Sequence, residues 1–213
     1  MNRMMALVMA GGRGTRLGMD FEKPLLEVAG RPMIDHVLEA LESATGVDGI
    51  IVVTSPHTPM TEDHVLVRYP TFRTSGEGYV EDLRKVLSHL EGSYQGPLLV
   101  INSDLPLVRP STIDWIISEY HSCPEPAMCV AVPEDLCRRY GLDFSGALDG
   151  LVPCGVNILM SKNRVQEQRI LEASMLELAV NINSCRDLKV LEKILGESDG
   201  REEAYKRGRE VLE

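Results

Sequence analysis

The sequence predicts an α/β protein, a three-layer sandwich built on a mostly parallel sheet, and three observations carry that expectation. A strand–loop–helix pattern recurs four times between residues 4 and 132, which is how a parallel sheet covered by helices on both faces is written. The first of those strands opens into a glycine-rich loop, with basic residues in it and just after it. After Pro133 the rhythm changes to short extended pieces around Gly146, Gly150 and Gly155, which read as a small β-hairpin arm laid against a Rossmann-like sheet with right-handed crossovers.

Met4 to Met9 is an apolar run of strand length. Arg31-Pro32 opens a helix in which Ile34, Val37, Leu38 and Leu41 recur at helical spacing, with Pro32 suited to the first turn and Gly46 ending it. Val47 to Thr54, centred on Ile50-Ile51-Val52-Val53, is the next buried strand, and Ser55 to Pro59 turns the chain at its carboxyl end. Val65 to Tyr69 is expected as a short third strand. The 74–78 loop leads into a helix whose apolar face is Val80, Leu83, Val86, Leu87 and Leu90.

Pro97 to Ile101 is the most apolar strand and runs into Asn102-Ser103-Asp104-Leu105-Pro106. A helix from Ser111 to His121 follows, capped by Ser111 or Thr112 with Asp114 in its first turn, and Ala127 to Val132 is the next strand. The arm is expected over 144–151 and 156–160, a helix over 168–178, a last short strand over 179–183, and a closing helix over 184–195 with Leu188, Leu191 and Leu195 inward. Residues 1–196 then form one domain. The 197–213 tail alternates charges with few apolar anchors and is expected as an exposed helix or a partly disordered end.

Composition narrows the function. With 213 residues, 44% of them apolar, the chain can bury a substantial core. A net charge of -10 argues against sequence-independent nucleic-acid binding, whose affinity comes from basic patches. No apolar run reaches the roughly 20 residues of a membrane span, and the N-terminus enters a structured strand with no leader pattern, so the expected location is cytoplasmic. The five cysteines lack C-x-x-C spacing, which fits a reducing compartment better than a zinc site.

The loop that organises the chain is Leu7-Val-Met-Ala-Gly-Gly-Arg-Gly-Thr-Arg-Leu-Gly18, followed by Glu22-Lys23-Pro24. Its glycines let backbone N–H groups close on a phosphate. Arg13, Arg16 and Lys23 supply the positive charge that a triphosphate needs in an otherwise acidic protein. A P-loop would require Gly-Lys-Ser/Thr, and the dinucleotide fingerprint a third glycine where Leu17 stands; neither pattern fits. The expected nucleotide contacts are Leu7, Ala10, Gly11, Gly12, Arg13, Gly14 and Thr15, with Arg16 and Lys23 as catalytic charges.

Ligands of parallel sheets bind beyond the carboxyl ends of the strands. Asp104 stands there, rigidly held after a buried strand, and is the candidate ligand for Mg2+, with Mn2+ as the alternative ion, as well as a catalytic residue. Asn157 and Asn183 are amides amid apolar residues and either could supply a second oxygen. The 74–82 loop contributes Ser75, Gly76, Glu77, Gly78 and Asp82 to the nucleotide site; Ser75, Glu77, Asp82 or backbone carbonyls of the first loop could accept hydrogen bonds from a guanine. His57 sits at a strand end and is a further candidate for lining the site. No nucleophile elbow accompanies any histidine.

The glycine loop with its Lys-Pro resembles the signature loop of nucleotidyltransferases that activate sugars, molybdopterin and cobinamide phosphate, which implies the nucleotide-diphospho-sugar transferase type of fold. The stretch Ile182-Asn183-Ser184-Cys185-Arg186-Asp187-Leu188 is similar to their Ile-Asn-Thr-Pro-Glu-Asp-Leu run, with Ser184 and Cys185 replacing Thr and Pro; that likeness favours Asn183 slightly over Asn157 as the second metal ligand. The Gly-Pro-Leu run usual after the third strand in molybdopterin and sugar relatives is replaced by Ser75-Gly-Glu-Gly-Tyr-Val-Glu-Asp-Leu83. With Gly150-Leu-Val-Pro-Cys-Gly-Val-Asn157, this resembles the archaeal-type GTP:adenosylcobinamide-phosphate guanylyltransferases over residues 4–195.

That resemblance implies transfer of GMP from GTP to adenosylcobinamide phosphate in cobalamin biosynthesis, giving adenosylcobinamide-GDP and pyrophosphate, with Gly155 and Asn157 on the acceptor. The missing P-loop implies no kinase activity. The alternatives are a molybdopterin or sugar-1-phosphate nucleotidyltransferase, or a non-catalytic nucleotide-binding module. A homo-oligomer is left open.

Overall fold

The computed structural model describes residues 3–15, 21–144 and 146–196, so the tail expected over 197–213 lies outside the described residues. Strands β1 (Met4–Met9), β4 (Val47–Thr54), β5 (Thr71–Arg73), β6 (Pro97–Asn102), β7 (Ala127–Pro133), β8 (Leu151–Met160) and β9 (Gln168–Glu172) form one sheet in the order β5-β4-β1-β6-β8-β7-β9. The pairs β1–β4, β1–β6, β4–β5 and β7–β9 are parallel, and β8 runs antiparallel to both β6 and β7. A two-stranded ribbon, β2 (Glu27–Val28) with β3 (Arg31–Pro32), stands apart.

Alternation along the strands makes the layers. In β1, Met4, Ala6 and Val8 face the larger core while Leu7 faces the smaller one; in β6, Leu99 and Ile101 oppose Leu98 and Val100 in the same way. The larger core is closed by α1 (Met33–Ser43), α2 (Pro59–Leu66), α4 (Pro110–His121), α5 (Glu134–Tyr140), α6 (Leu176–Ala179) and α7 (185–196) through residues such as Ile34, Val65, Ile117, Cys137, Leu178 and Leu191. On the other face α3 (Tyr79–Leu90) sets Val86, Leu87 and Leu90 against Leu7, Val53 and Val100. Burying such side chains contributes about 1.5–3 kcal/mol each, which holds the strand ends, and hence the loops beyond them, in place.

Several elements differ from the sequence expectation. Residues 65–69 close a helix rather than form a strand: Pro59 begins α2, Thr61 and Val65 turn inward, and the strand shifts to Thr71–Arg73. Pro32 caps α1 from the ribbon instead of lying in its first turn. Neither Ser111 nor Thr112 caps α4; Arg109 holds that position without a side-chain bond, Thr112 Oγ1 donates to Glu177, and Asp114 accepts from the backbone N–H groups of Thr45 and Gly46. Val80 is exposed on α3.

Of the segment expected as an arm, 151–160 is the interior strand β8, entered through a tight two-residue turn at Asp149-Gly150 that pairs Leu148 with Leu151. The helix expected over 168–178 is instead strand β9 and the short α6, because the free edge of β7 offers 168–172 a parallel ladder. Residues 180–183 join no strand; they pass the sheet end as a loop, where Ile182 donates its N–H to the carbonyl of Asp104, 3.0 Å.

Candidate active site

From β1 the chain crosses to β4 and β5 on one side and to β6 on the other, so the direction of winding switches between β1 and β6. That switch point opens a crevice at the carboxyl strand ends. A cavity of about 560 Å³ occupies it, walled by the 9–15 loop, His57, the 76–79 loop and Asp82, and by Asn102, Ser103, Asp104 and Asn183.

Ala10, Gly11, Gly12, Arg13, Gly14 and Thr15 all line this cavity. The loop is anchored where Ser55 Oγ donates to the carbonyl of Gly11, 2.7 Å. Gly14 has φ +62, and a Cβ there would stand 3.0 Å from Lys23 Cβ, so a glycine is what lets the Lys23 turn pass beneath the loop. Leu7 departs from expectation: its side chain is fully buried in the smaller core, and its backbone lies between the β4 and β6 ladders, so it does not reach the cavity. Arg16 lies outside the described residues.

Lys23 opens a 3-10 turn over Lys23–Leu25 that is fastened from behind. The Glu22 carboxylate accepts from the N–H groups of Met60 and Thr61, 2.8 and 2.6 Å, at the positive end of α2. The turn aims the ammonium at Asp104: Nζ lies 2.6 Å from Asp104 Oδ2 and 3.1 Å from Asn183 Oδ1. Asp104 is 8% exposed and its Oδ1 is buried without a hydrogen-bond partner among the described residues.

Asn183 reaches that point because Asp187, fully buried, gathers its surroundings. Its Oδ2 accepts from the N–H groups of Asn183 and Ser184 and from Ser184 Oγ, and its Oδ1 accepts from Asp143 N–H at 2.8 Å. Four donors compensate the buried charge. Sequence reasoning did not single out Asp187; a Ser-x-x-Asp spacing ahead of a helix was the available signal.

On the opposite wall Asp82 is 5% exposed and accepts the Gly76 N–H at 3.1 Å, which fixes the 74–78 loop. Gly76, Glu77 and Gly78 line the cavity, while Ser75 does not and turns to Lys85. Lys85 and Ser75 beside Glu77 hold its carboxyl below the usual carboxylate range. His57 Nε2 stands 3.0 Å from Arg13 Nε and 3.2 Å from the Gly76 carbonyl, linking the two loops.

A second pocket of about 300 Å³ adjoins the first and shares Tyr79, Asn102 and Asn183 with it. Gly155 and Asn157 line it, so Asn157 is kept away from Lys23 and Asp104, with Asn181, Cys154, Val132, Val152 and Leu178 around it. Asn157 Nδ2 stands 3.5 Å from the Tyr79 hydroxyl. Burial pushes that hydroxyl up to about 12, against the pull of the Asn157 bond, and it keeps its proton. Burial likewise pushes the Cys154 thiol up to about 12, leaving it a neutral wall residue. Asn102 and Tyr79 were not anticipated as site residues, although a polar side chain closing an apolar strand two residues before Asp104 was a readable sign.

A glycine-loop compartment and an amide-lined one, meeting at a lysine and an aspartate, suit the passage of a nucleotidyl group between two phosphates, and the protein is a nucleotidyltransferase. It belongs to the MobA-like NTP transferase family, whose domain matches residues 6–201.

Within that family it is similar to the adenosylcobinamide-phosphate guanylyltransferase of Methanocaldococcus jannaschii, at 36% identity over 90% of this chain and 97% of the relative. The probable molybdenum cofactor guanylyltransferase of Thermococcus sibiricus is 27% identical over 90% of this chain and 99% of its own. Among solved structures, CMP:2-keto-3-deoxy-manno-octonic acid synthetase with CTP superposes with a TM-score of 0.65 at 13% identity, covering 93% of this chain and all of that one. HddC from Yersinia pseudotuberculosis superposes at 0.62 with 17% identity, over 90% and 99%. These two likenesses concern the fold. No helix among the described residues is long and apolar enough to cross a membrane.

Proposed function

We propose that this protein transfers GMP from GTP to adenosylcobinamide phosphate, releasing pyrophosphate, as a cytoplasmic step of cobalamin assembly. The observation that carries the reading is the pair of compartments with shared walls at Tyr79, Asn102 and Asn183, taken with the 36% identity to a guanylyltransferase of that acceptor. The triphosphate lies along the 10–15 loop, where backbone N–H groups, Arg13 and Lys23 balance its charge. The base lies toward Asp82, whose second carboxylate oxygen is an acceptor for guanine N1–H and N2–H.

The acceptor phosphate enters from the second pocket and its oxygen attacks the α-phosphorus in line. One P–O bond forms, the bond to the β-phosphate bridging oxygen breaks, and that oxygen leaves with pyrophosphate. No protein nucleophile is needed; the residues position and neutralise. A divalent cation fits beside the buried, unpartnered Asp104 Oδ1, with Asn183 Oδ1 as the other protein oxygen. Mg2+ held by these residues would neutralise charge on the phosphates; Lys23 then serves the phosphate chain.

The test is pyrophosphate release from each of the four NTPs, with and without adenosylcobinamide phosphate. Release from GTP alone, strictly dependent on that acceptor, is the expected result. Release dependent on molybdopterin or a sugar 1-phosphate instead would overturn it.

A further inference from the structure

One nitrogen joins the two loops that enclose the first pocket, and its two partners make opposite demands on it. His57 Nε2 lies 3.0 Å from Arg13 Nε and 3.2 Å from the Gly76 carbonyl oxygen. The arginine Nε–H only donates and the carbonyl only accepts, while an imidazole nitrogen carries either a lone pair or a proton. His57 therefore serves one of them at a time. Resting on the guanylyl transfer proposed above, we infer that His57 is a positioning residue for base selection: it gives up Arg13 to the triphosphate and then fixes the loop beside the base.

The surroundings leave His57 little room to move aside. Its backbone N–H donates to Ser55 Oγ, 3.0 Å, and that hydroxyl donates to the Gly11 carbonyl, 2.7 Å, so the residue is tied to the glycine loop. On the other side the ring packs against Gly76: with φ +70, a Cβ there would stand 2.7 Å from His57 Cδ2 and 2.8 Å from Nε2. Gly76 is held from two directions, its N–H donating to Asp82 Oδ1 at 3.1 Å and its carbonyl facing the imidazole. Asp82 is the proposed acceptor for guanine, and what steadies Gly76 steadies that carboxylate.

With its proton on Nδ1, the neutral ring accepts the Arg13 Nε–H at Nε2; with the proton on Nε2, it donates to the Gly76 carbonyl instead. Arg13 is exposed and lines the cavity. A triphosphate along the 10–15 loop would offer the guanidinium charged oxygens, which bind it more strongly than a neutral imidazole does. Once Arg13 turns to them, the ring proton relocates to Nε2 by exchange with water and the Gly76 carbonyl gains a donor. The triphosphate thereby strengthens recognition of the base, and by linkage the matching base strengthens the hold on the triphosphate. In a site without this link, the preference for guanine would be the same with and without phosphates.

The test is competition binding against a fluorescent GTP analogue, comparing two affinity ratios for the native protein: GTP over ATP, and guanosine over adenosine. The first ratio is expected to exceed the second by about fivefold, the scale of one net hydrogen bond. His57→Phe keeps a ring against Gly76 without a nitrogen and should lower the triphosphate ratio to the nucleoside ratio. Arg13→Ala leaves Nε2 free for Gly76 from the start and should raise the nucleoside ratio to the triphosphate level. A merely structural role would not close the gap from opposite ends in the two variants. Equal ratios in the native protein would overturn the inference and leave the guanine reading standing, as would a gap that survives either substitution. No preference for guanine in either ratio would overturn both readings.

Discussion

The ammonium of Lys23 lies 2.6 Å from Asp104 Oδ2, in a contact where both side chains are largely buried. With Asn183 Oδ1 at 3.1 Å, the lysine holds one of the two oxygens proposed for a divalent cation and sits on the carboxylate that supplies the other. A cation held there would compete with Lys23 for one carboxylate, and a bound nucleotide would offer the lysine a phosphate instead.

Replacing Lys23 by methionine separates these roles. Turnover should fall by about 10²-fold or more, the scale of losing one charge contact to the transition state. Affinity of the nucleotide-free variant for Mn2+ should rise, since Asp104 is no longer neutralised. Pyrophosphate release and a Mn2+ titration followed by electron paramagnetic resonance check both, and near-native turnover at saturating GTP would remove Lys23 from the mechanism.

Asp104→Asn keeps the shape of the side chain and removes its charge. GTP should bind within about tenfold of native affinity, a change of roughly 1.4 kcal/mol or less, because its proposed contacts are mainly with the 10–15 loop. Turnover should drop by orders of magnitude, with partial recovery in Mn2+. Calorimetry and the release assay on one preparation decide it: a variant that binds GTP and turns over normally places the metal elsewhere.

Base selection should rest on Asp82. The native protein is expected to prefer GTP over ATP by a factor approaching 10⁴, as sites built to hydrogen-bond a group do. Asp82→Ala should reduce that ratio chiefly by weakening GTP, and ITP, which lacks the 2-amino group, should fall between GTP and ATP with the native enzyme. Competition kinetics among the three nucleotides measure this. Equal efficiency with ATP would sink the guanine reading.

Gly155 tests the wall between the compartments. Its φ is +83, and a Cβ there would stand 2.5 Å from Asn102 Nδ2. Gly155→Ala should cost on the order of 1–3 kcal/mol in backbone strain and push Asn102 aside, raising the acceptor KM more than the GTP KM. Urea denaturation beside steady-state kinetics distinguishes the two effects; a variant as stable as the native protein, with unchanged constants, contradicts the geometry.

Much of this protein was legible before its structure. Runs such as Ile50-Ile51-Val52-Val53 and Pro97 to Ile101 are strands because apolar stretches of that length must be covered on both faces. The 10–14 glycines, Lys23 and Asp104 stood out because loops at strand ends have few structural reasons to hold glycines and charges together. Local signals failed where the partner decided the structure. Residues 168–172 carry no strong period and became a strand because β7 had a free edge, and 151–160 became an interior strand because β6 and β7 left a gap that it fills.

What the sequence determined by itself is the class of fold, the glycine-rich loop at the first strand end and the charged residues, since each follows from contacts within a few residues. What only the tertiary structure decided is which of them meet. Asn183 joins Lys23 across 160 positions, while Asn157, the other amide candidate in the sequence, faces the second pocket. The choice was made by the Ile182 N–H bonding the Asp104 carbonyl and by Asp187 gathering four donors. Such buried polar groups must find partners wherever the folded chain brings them, and sequence spacing does not record that convergence.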